Sequence, residues 1–271
     1  MKKYFRRSIA ITNEHGSWVF LLSPLLIGLF AGTSWSTPAI YLFVAALCAF
    51  LIRQPIAMAV KAYSGRRPKH DLPAARFWII VYGSLGLLVL LGLILRGFGF
   101  LLYLALPGIP VFAWHLFLVS QRRERRQMGV EIIASGVLAL SAPAGYWIGL
   151  GSPDFTGWLL WGLTWLQSAA SIVHAFLRLE QRVWDEIPDL QTRFRAGKRA
   201  LLYTSFNLTF VVLLSLLGIL SPWLFLPFLI QWLETLWGIS NPAVGFKPTS
   251  IGFRQLAVSI AFTIVFILVW N

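Results

Sequence analysis

Glu14 and His15 stand side by side in Asn13-Glu14-His15-Gly16-Ser17-Trp18, directly ahead of an apolar run containing Ser23-Pro24-Leu25-Leu26-Ile27-Gly28. A carboxylate beside an imidazole is a pair that can move a proton. The same residues also suit a helix start, with Asn13 as cap and Glu14 favoured in the first turn by the helix dipole, so both readings stay open. A second cluster begins at Arg53-Gln54-Pro55 and continues through Lys61, Arg66, Arg67, Lys69, His70 and Asp71. Arg53 follows fourteen apolar residues. A guanidinium so placed lies just inside a membrane interface, where it either snorkels outward or holds an anion. The third cluster runs from His174 to Arg199 and includes Arg178, Glu180, Arg182, Asp185, Glu186, Asp189, Arg193 and Lys198. Asp185 and Asp189 are four apart, but Pro188 between them argues against the continuous helix that would align them. A solvated loop balancing its own charge explains them better than a metal site.

Inside apolar runs the carboxylates are Glu131 and Glu234, the latter in Gln231-Trp232-Leu233-Glu234, with His115 and His174 near run ends. Ionisable groups within a membrane are candidate functional sites. Glu131 lies near Arg125 and Arg126, whose pairing would account for it, whereas Glu234 sits deeper and is more informative. The four His residues lack metal-ligand spacing, and Cys48 is the single cysteine, packed among apolar neighbours. Metal, haem and disulfide chemistry are therefore not indicated, and the cofactor is left open. The phosphate-binding pattern GxxxxGK[ST], the hydrolase elbow GxSxG and the zinc motif HExxH are absent, which argues against ATP-driven transport within the chain.

The elements that position these residues are membrane helices. The 271 residues are 58% hydrophobic and only 12% charged, against the roughly 25% charged residues of an ordinary soluble protein. A helical crossing needs about 20 mainly apolar residues. Nine candidate spans emerge near 17–32, 39–60, 77–95, 98–119, 129–149, 157–177, 200–220, 222–239 and 251–270, interrupted by Pro24 in the first and Pro227 in the eighth. They fill residues 1–271 as one integral membrane domain, and polar residues between Arg7 and the first run argue against a cleaved signal peptide.

Cutting the chain at these spans places every one of the 23 Lys and Arg residues except Arg96 on one side. By the positive-inside rule the N-terminus is cytoplasmic and the C-terminus faces outward. The formal charge of +13 then reflects cytoplasmic loops against anionic lipid, not nucleic-acid binding. Trp18, Trp35, Trp78, Trp158, Trp223 and Trp237 lie near span ends and suit an interfacial belt, while Gly28/Gly32 and Gly145/Gly149 have the spacing of close helix packing.

Glu14-His15-Gly16-Ser17-Trp18, Arg53-Gln54-Pro55 and Ser141-Ala142-Pro143-Ala144 together resemble the YwiC-like family of bacterial membrane proteins. That resemblance implies fold and localisation. Pro24-Leu25-Leu26-Ile27-Gly28 and Asp189 followed by Gly197-Lys198-Arg199-Ala200-Leu201 are more distantly similar to the UbiA prenyltransferase superfamily. Its members have nine helices, with active-site loops after helices two and six. The chain departs from that pattern where metal-binding aspartates are wanted, having Arg53-Gln54 in the first motif and Arg193 in the second. The resemblance therefore implies a UbiA-like helical arrangement that holds an anion through basic side chains, without Mg²⁺.

The expectation is an all-α polytopic transmembrane bundle with a cytoplasm-facing basic pocket for an isoprenoid or phospholipid-like anion. Arg53, Gln54, Lys61, Arg66, Arg67, Arg178 and Lys198 would bind the ligand. Glu14, His15, Asp71 and Asp189 would transfer protons. The competing expectation is a non-enzymatic membrane protein, either a transporter using Glu234 and Gln231 along a path or an assembly factor whose basic face meets a partner.

Overall fold

The computed structural model describes residues 4, 6–11, 16–33, 35–122 and 127–270, with the side chain of Arg7 left aside. Regular structure among these residues is entirely helical. In chain order the helices are α1 (Arg7–Ala10), α2 (Ser17–Ala31), α3 (Thr37–Leu51), α4 (Arg53–Tyr63), α5 (Leu72–Leu95), α6 (Ala105–Ser120), α7 (Met128–Ala139), α8 (Ser141–Leu150), α9 (Phe155–Gln181), α10 (Leu190–Leu216), α11 (Phe225–Ser240) and α12 (Pro248–Val269). Short 3₁₀ turns at Lys69–Asp71 and Gly99–Leu104 lead into α5 and α6.

Six helical segments are long and apolar enough to cross a membrane: Thr37–Tyr63, Lys69–Leu95, Gly99–Ser120, Met128–Leu150, Leu190–Leu216 and Pro248–Val269. Ser17–Ala31 is apolar but shorter. These make the chain a multi-pass membrane protein. Two of the expected spans are broken. The second divides into α3 and α4 just ahead of Pro55, and the fifth into α7 and α8 just ahead of Pro143. Proline has no amide hydrogen and crowds the preceding turn, so a helix yields there. Pro188 lies in the 182–189 connection between α9 and α10, and the continuous helix that would align Asp185 with Asp189 does not form.

The tightest packing joins α2 to α8 through the two glycine pairs. A methyl group on Gly28 would collide with the Ala142 carbonyl, one on Gly149 with the Gly32 carbonyl, and one on Gly145 would sit 2.8 Å from the Leu29 amide nitrogen. Backbones this close exclude any side chain, which is the physical content of the small-residue spacing. Ser141 Oγ adds a hydrogen bond to the Leu21 carbonyl at 3.1 Å. On another side of α2, Ser23 and Thr263 of α12 share a buried hydrogen bond of 2.5 Å.

α9 occupies the centre. It packs against α2, α7, α8, α10, α11 and α12, and its buried residues include Thr164, Gln167, Ser168, Ser171, His174 and Arg178. Neighbouring helices send side chains to its backbone: Asn207 Nδ2 donates to the Leu166 carbonyl at 2.8 Å and Gln231 Nε2 to that of Gln167 at 2.9 Å. In turn Trp161 and Trp165 of α9 donate to carbonyls of α7, both at 2.8 Å. With no water in a hydrocarbon core, polar groups are satisfied helix to helix, and a central helix can be polar without facing lipid.

Arg96, the one basic residue on the opposite side, is accommodated at the end of α5. Its guanidinium stacks 4.6 Å from the Tyr41 ring and bonds the Gly92 carbonyl at 3.3 Å.

Candidate functional site

A cavity of about 190 Å³ opens between α9, α11 and α12. Its charged lining consists of His174, Arg178, Glu234 and Arg254, with Gln167, Ser171, Gln231, Gln255 and Ser259 as polar neighbours. Helical spacing explains the convergence. Gln231, Glu234 and Thr235 share one face of α11 at i, i+3, i+4, as do Ser171, His174 and Arg178 of α9 at nearly the same period. α12 supplies Arg254, Gln255 and Ser259.

Glu234 anchors the cluster. Arg254 grips it with both arms of its fork, Nε to Oε1 at 2.6 Å and Nη2 to Oε2 at 2.7 Å. His174 Nε2 lies 3.8 Å from Oε1, just beyond hydrogen-bond reach. The Glu234 side chain is 13% exposed and that of Arg254 44%, so the pair bridges the buried interior and the cavity mouth. Arg254 also lies flat over the Trp237 indole at 3.4 Å, and Arg178 is 5.3 Å from the same ring. The sequence suggested Trp237 as interfacial anchoring. The structure also makes it a platform for two guanidiniums, because one helical turn separates it from Glu234.

Arg178 is buried and spans two helices. Its Nη1 donates to Gln181 Oε1 at 2.9 Å and to the carbonyls of Gly238 and Asn241 at 2.6 and 2.7 Å. The carbonyls at the C-terminal end of α11 have no helical donor, and a guanidinium satisfies them while meeting the negative end of the dipole. Gly238 permits this approach, since a Cβ there would press to 2.6 Å from His174 Cε1. Two buried atoms of the lining lack any protein partner, His174 Nδ1 and Gln231 Oε1. Both atoms are closed off from solvent, so the donors left for a guest are the guanidinium N–H groups of Arg178 and Arg254 without a described acceptor.

The other expected site residues lie elsewhere. Glu14 and His15 fall outside the described residues. Asp71 is buried and binds Arg6 Nη1 through Oδ1 and Arg67 Nη1 through Oδ2, the latter at 3.1 Å, with His70 Nε2 3.4 Å away. It ties the N-terminal segment to the start of α5. Gln54 Nε2 donates to the Ser8 carbonyl at 3.1 Å, and Arg66 caps the end of α6 at the Val119 carbonyl. Arg53 stacks 4.8 Å from the Phe50 ring. Lys61 is half-buried on α4, and Lys198 is exposed on α10. Asp189 is the N-cap of α10, accepting from the Thr192 amide at 3.4 Å. The hydrogen bond from the Thr192 side chain, aided by backbone amides and nearby Arg193, holds its carboxyl below the ordinary value.

The expected residues thus fall into separate places. α4 packs on α1, α3, α5 and α6, whereas α10 packs on α9 and α11. Of the ligand-binding set, Arg178 alone lines the cavity. What composition did not single out is Arg254, twenty residues along the chain from Glu234. The available signal was an unneutralised carboxylate in an apolar run, which requires a cation from some other helix. Among the described residues no group of three or more His, Cys, Asp and Glu is placed to hold a metal ion.

The Ser141-Ala142-Pro143-Ala144 segment that forms α8 lies against α2, and residues 11–146, which contain both, match the family model described as YwiC-like protein. The chain belongs to the YwiC-like family. It is 27% identical over 165 residues to "Uncharacterized protein YwiC" of Bacillus subtilis (strain 168), an alignment covering 59% of this chain and 61% of that relative. No solved structure matches. The family match ends before α9, so the cavity lies outside it, and the prenyltransferase resemblance gains no support from these matches.

Proposed function

We propose that this YwiC-like protein is a membrane transporter whose solute site is the cavity between α9, α11 and α12. The observation that carries the reading is the cluster of Glu234, Arg254, Arg178 and His174 around an open volume. Charged groups inside a membrane are costly to keep and typically mark a substrate or proton path. Arg178 near the end of α9 and Arg254 near the start of α12 lie beside the basic connections that charge bias predicts to be cytoplasmic. Below it Phe262 closes the cavity floor, backed by Phe228 and Phe266 in an apolar layer. Passage requires that this layer part, which is the alternating motion the proposal assigns to α11 and α12.

A lipid or isoprenoid pocket is the weaker reading. The basic groups meant to grip such a headgroup are divided among α4 and the turn after it, α9 and α10, and about 190 Å³, room for on the order of ten waters, is small for an isoprenoid.

Cysteine accessibility tests the transporter reading without knowledge of the solute. In a Cys48→Ser background, Ser259→Cys places a thiol in the cavity beside Phe262. In proteoliposomes a membrane-impermeant thiol reagent is expected to label it from the basic side and, more slowly, from the opposite side. Labelling from one side only, or from neither, overturns the reading.

A further inference from the structure

We infer that the cavity takes one singly charged oxyanion, and that charge balance at Glu234 sets this valence. The inference rests on the cavity being a solute site and adds the chemical class of the solute. Two guanidiniums, Arg178 and Arg254, and one carboxylate, Glu234, line the volume, and its remaining lining is uncharged apart from the imidazole of His174. With the imidazole neutral, the cluster carries one uncompensated positive charge. A net charge in a partly desolvated cavity calls for a counter-charge, and one monoanion supplies it.

The donors are available for this. The described hydrogen bonds of Arg178 all run through Nη1, and those of Arg254 through Nε and Nη2. That leaves N–H groups on both guanidiniums without an acceptor among the described residues. Planar forks of this kind suit a carboxylate or a phosphodiester equally. A doubly charged anion would leave the cluster with an excess negative charge beside Glu234, and a diphosphate still more.

Valence preference is a readout that a purely structural ion pair would not move. The purified full chain is titrated by thermal unfolding with potassium acetate and potassium sulfate at matched ionic strength. The account expects acetate to half-saturate at a concentration about tenfold below sulfate, the equivalent of one modest charge interaction. Glu234→Gln raises the cluster to two positive charges and is expected to reverse the order. Arg254→Gln leaves the cluster neutral and is expected to abolish the response. The double variant Glu234→Gln/Arg254→Gln returns it to a single positive charge and is expected to restore preference for acetate, so a poorly folded single variant does not decide the outcome. Equal responses to acetate and sulfate in the unaltered chain, or a preference that ignores Glu234, overturn the inference.

Nanodiscs with and without phosphatidylglycerol separate the two sources of a monoanion. Displacement of acetate by the phosphodiester lipid assigns the site to a headgroup, and no displacement assigns it to a free carboxylate. A charge-governed acetate response without two-sided labelling of Ser259→Cys keeps the anion site and removes transport. Two-sided labelling without anion selectivity keeps transport and removes this ligand class.

Discussion

Asp71 and Glu234 have nearly the same company and opposite settings. Asp71 meets Arg6, Arg67 and His70, whereas Glu234 pairs with Arg254, with His174 at 3.8 Å and Arg178 on the same cavity wall. Around Asp71 the partners are mostly local in sequence. The carboxylate spends its lone pairs on joining the N-terminal segment to α5. Around Glu234, on α11, the partners come from two other helices, α9 and α12, and enclose an open volume. The difference teaches that a cluster's composition does not make a site. What distinguishes a site is hydrogen-bonding capacity left unfilled in a space large enough for a guest.

The α2–α8 crossing is the tightest packing in the bundle, and breaking it gives the largest expected effect. Gly149→Val drives a side chain into the Gly32 backbone, and neither helix can move aside without opening the bundle. The expected outcome is loss of the monodisperse peak in size-exclusion chromatography of detergent extracts. A variant that elutes normally would show that the bundle does not need the crossing.

Next in size is Asp71→Asn. It strands two guanidiniums that still reach solvent, so a loss of about 1–2 kcal/mol is expected as a lowered unfolding midpoint. The acetate response of the cavity should be unchanged. If that response falls with stability, the two clusters are not independent and the comparison fails.

Glu234→Gln is expected to cost less stability, because Arg254 keeps Trp237 and solvent, yet to change anion preference from acetate toward sulfate. The measurement is the same thermal titration. The smallest effect is at Asp189. Its carboxyl is held below the ordinary value, so the stability it contributes is present above the unfolded carboxylate range near about pH 3.9 and is lost as pH falls through the lower folded value. Asp189→Asn should flatten the acid limb of the unfolding midpoint against pH while leaving neutral-pH stability nearly unchanged, since Asn also caps helices. An unaltered acid limb would remove Asp189 from any pH-dependent role.

The sequence was most informative where the physics is local. Long apolar runs gave helices close to the expected bounds, Pro188 excluded a helix between Asp185 and Asp189, and the glycine pairs foretold the close crossing of α2 and α8. It was less informative where partners are distant. Nothing near Glu234 in the chain announces Arg254, and the polar face of α9 reads as a weaker span because its serines, glutamine and histidine face other helices and not lipid. The breaks ahead of Pro55 and Pro143 were also legible in principle, but apolar runs conceal them when only total hydropathy is weighed. Basic loops drew attention to Arg53, Lys61 and Lys198 because cytoplasmic loops collect such residues regardless of function. Arg178 was found for the same reason and sits at the cavity because α9 carries it inward.

The most direct test of the claim that the α9–α11–α12 cavity is the working site is the labelling rate of Ser259→Cys in the Cys48→Ser background, with and without potassium acetate. Acetate is expected to slow labelling about tenfold at saturation, a protection of ordinary binding strength, and to lose that effect in Arg254→Gln. A rate indifferent to acetate, or one protected equally after Arg254 is replaced, would contradict it.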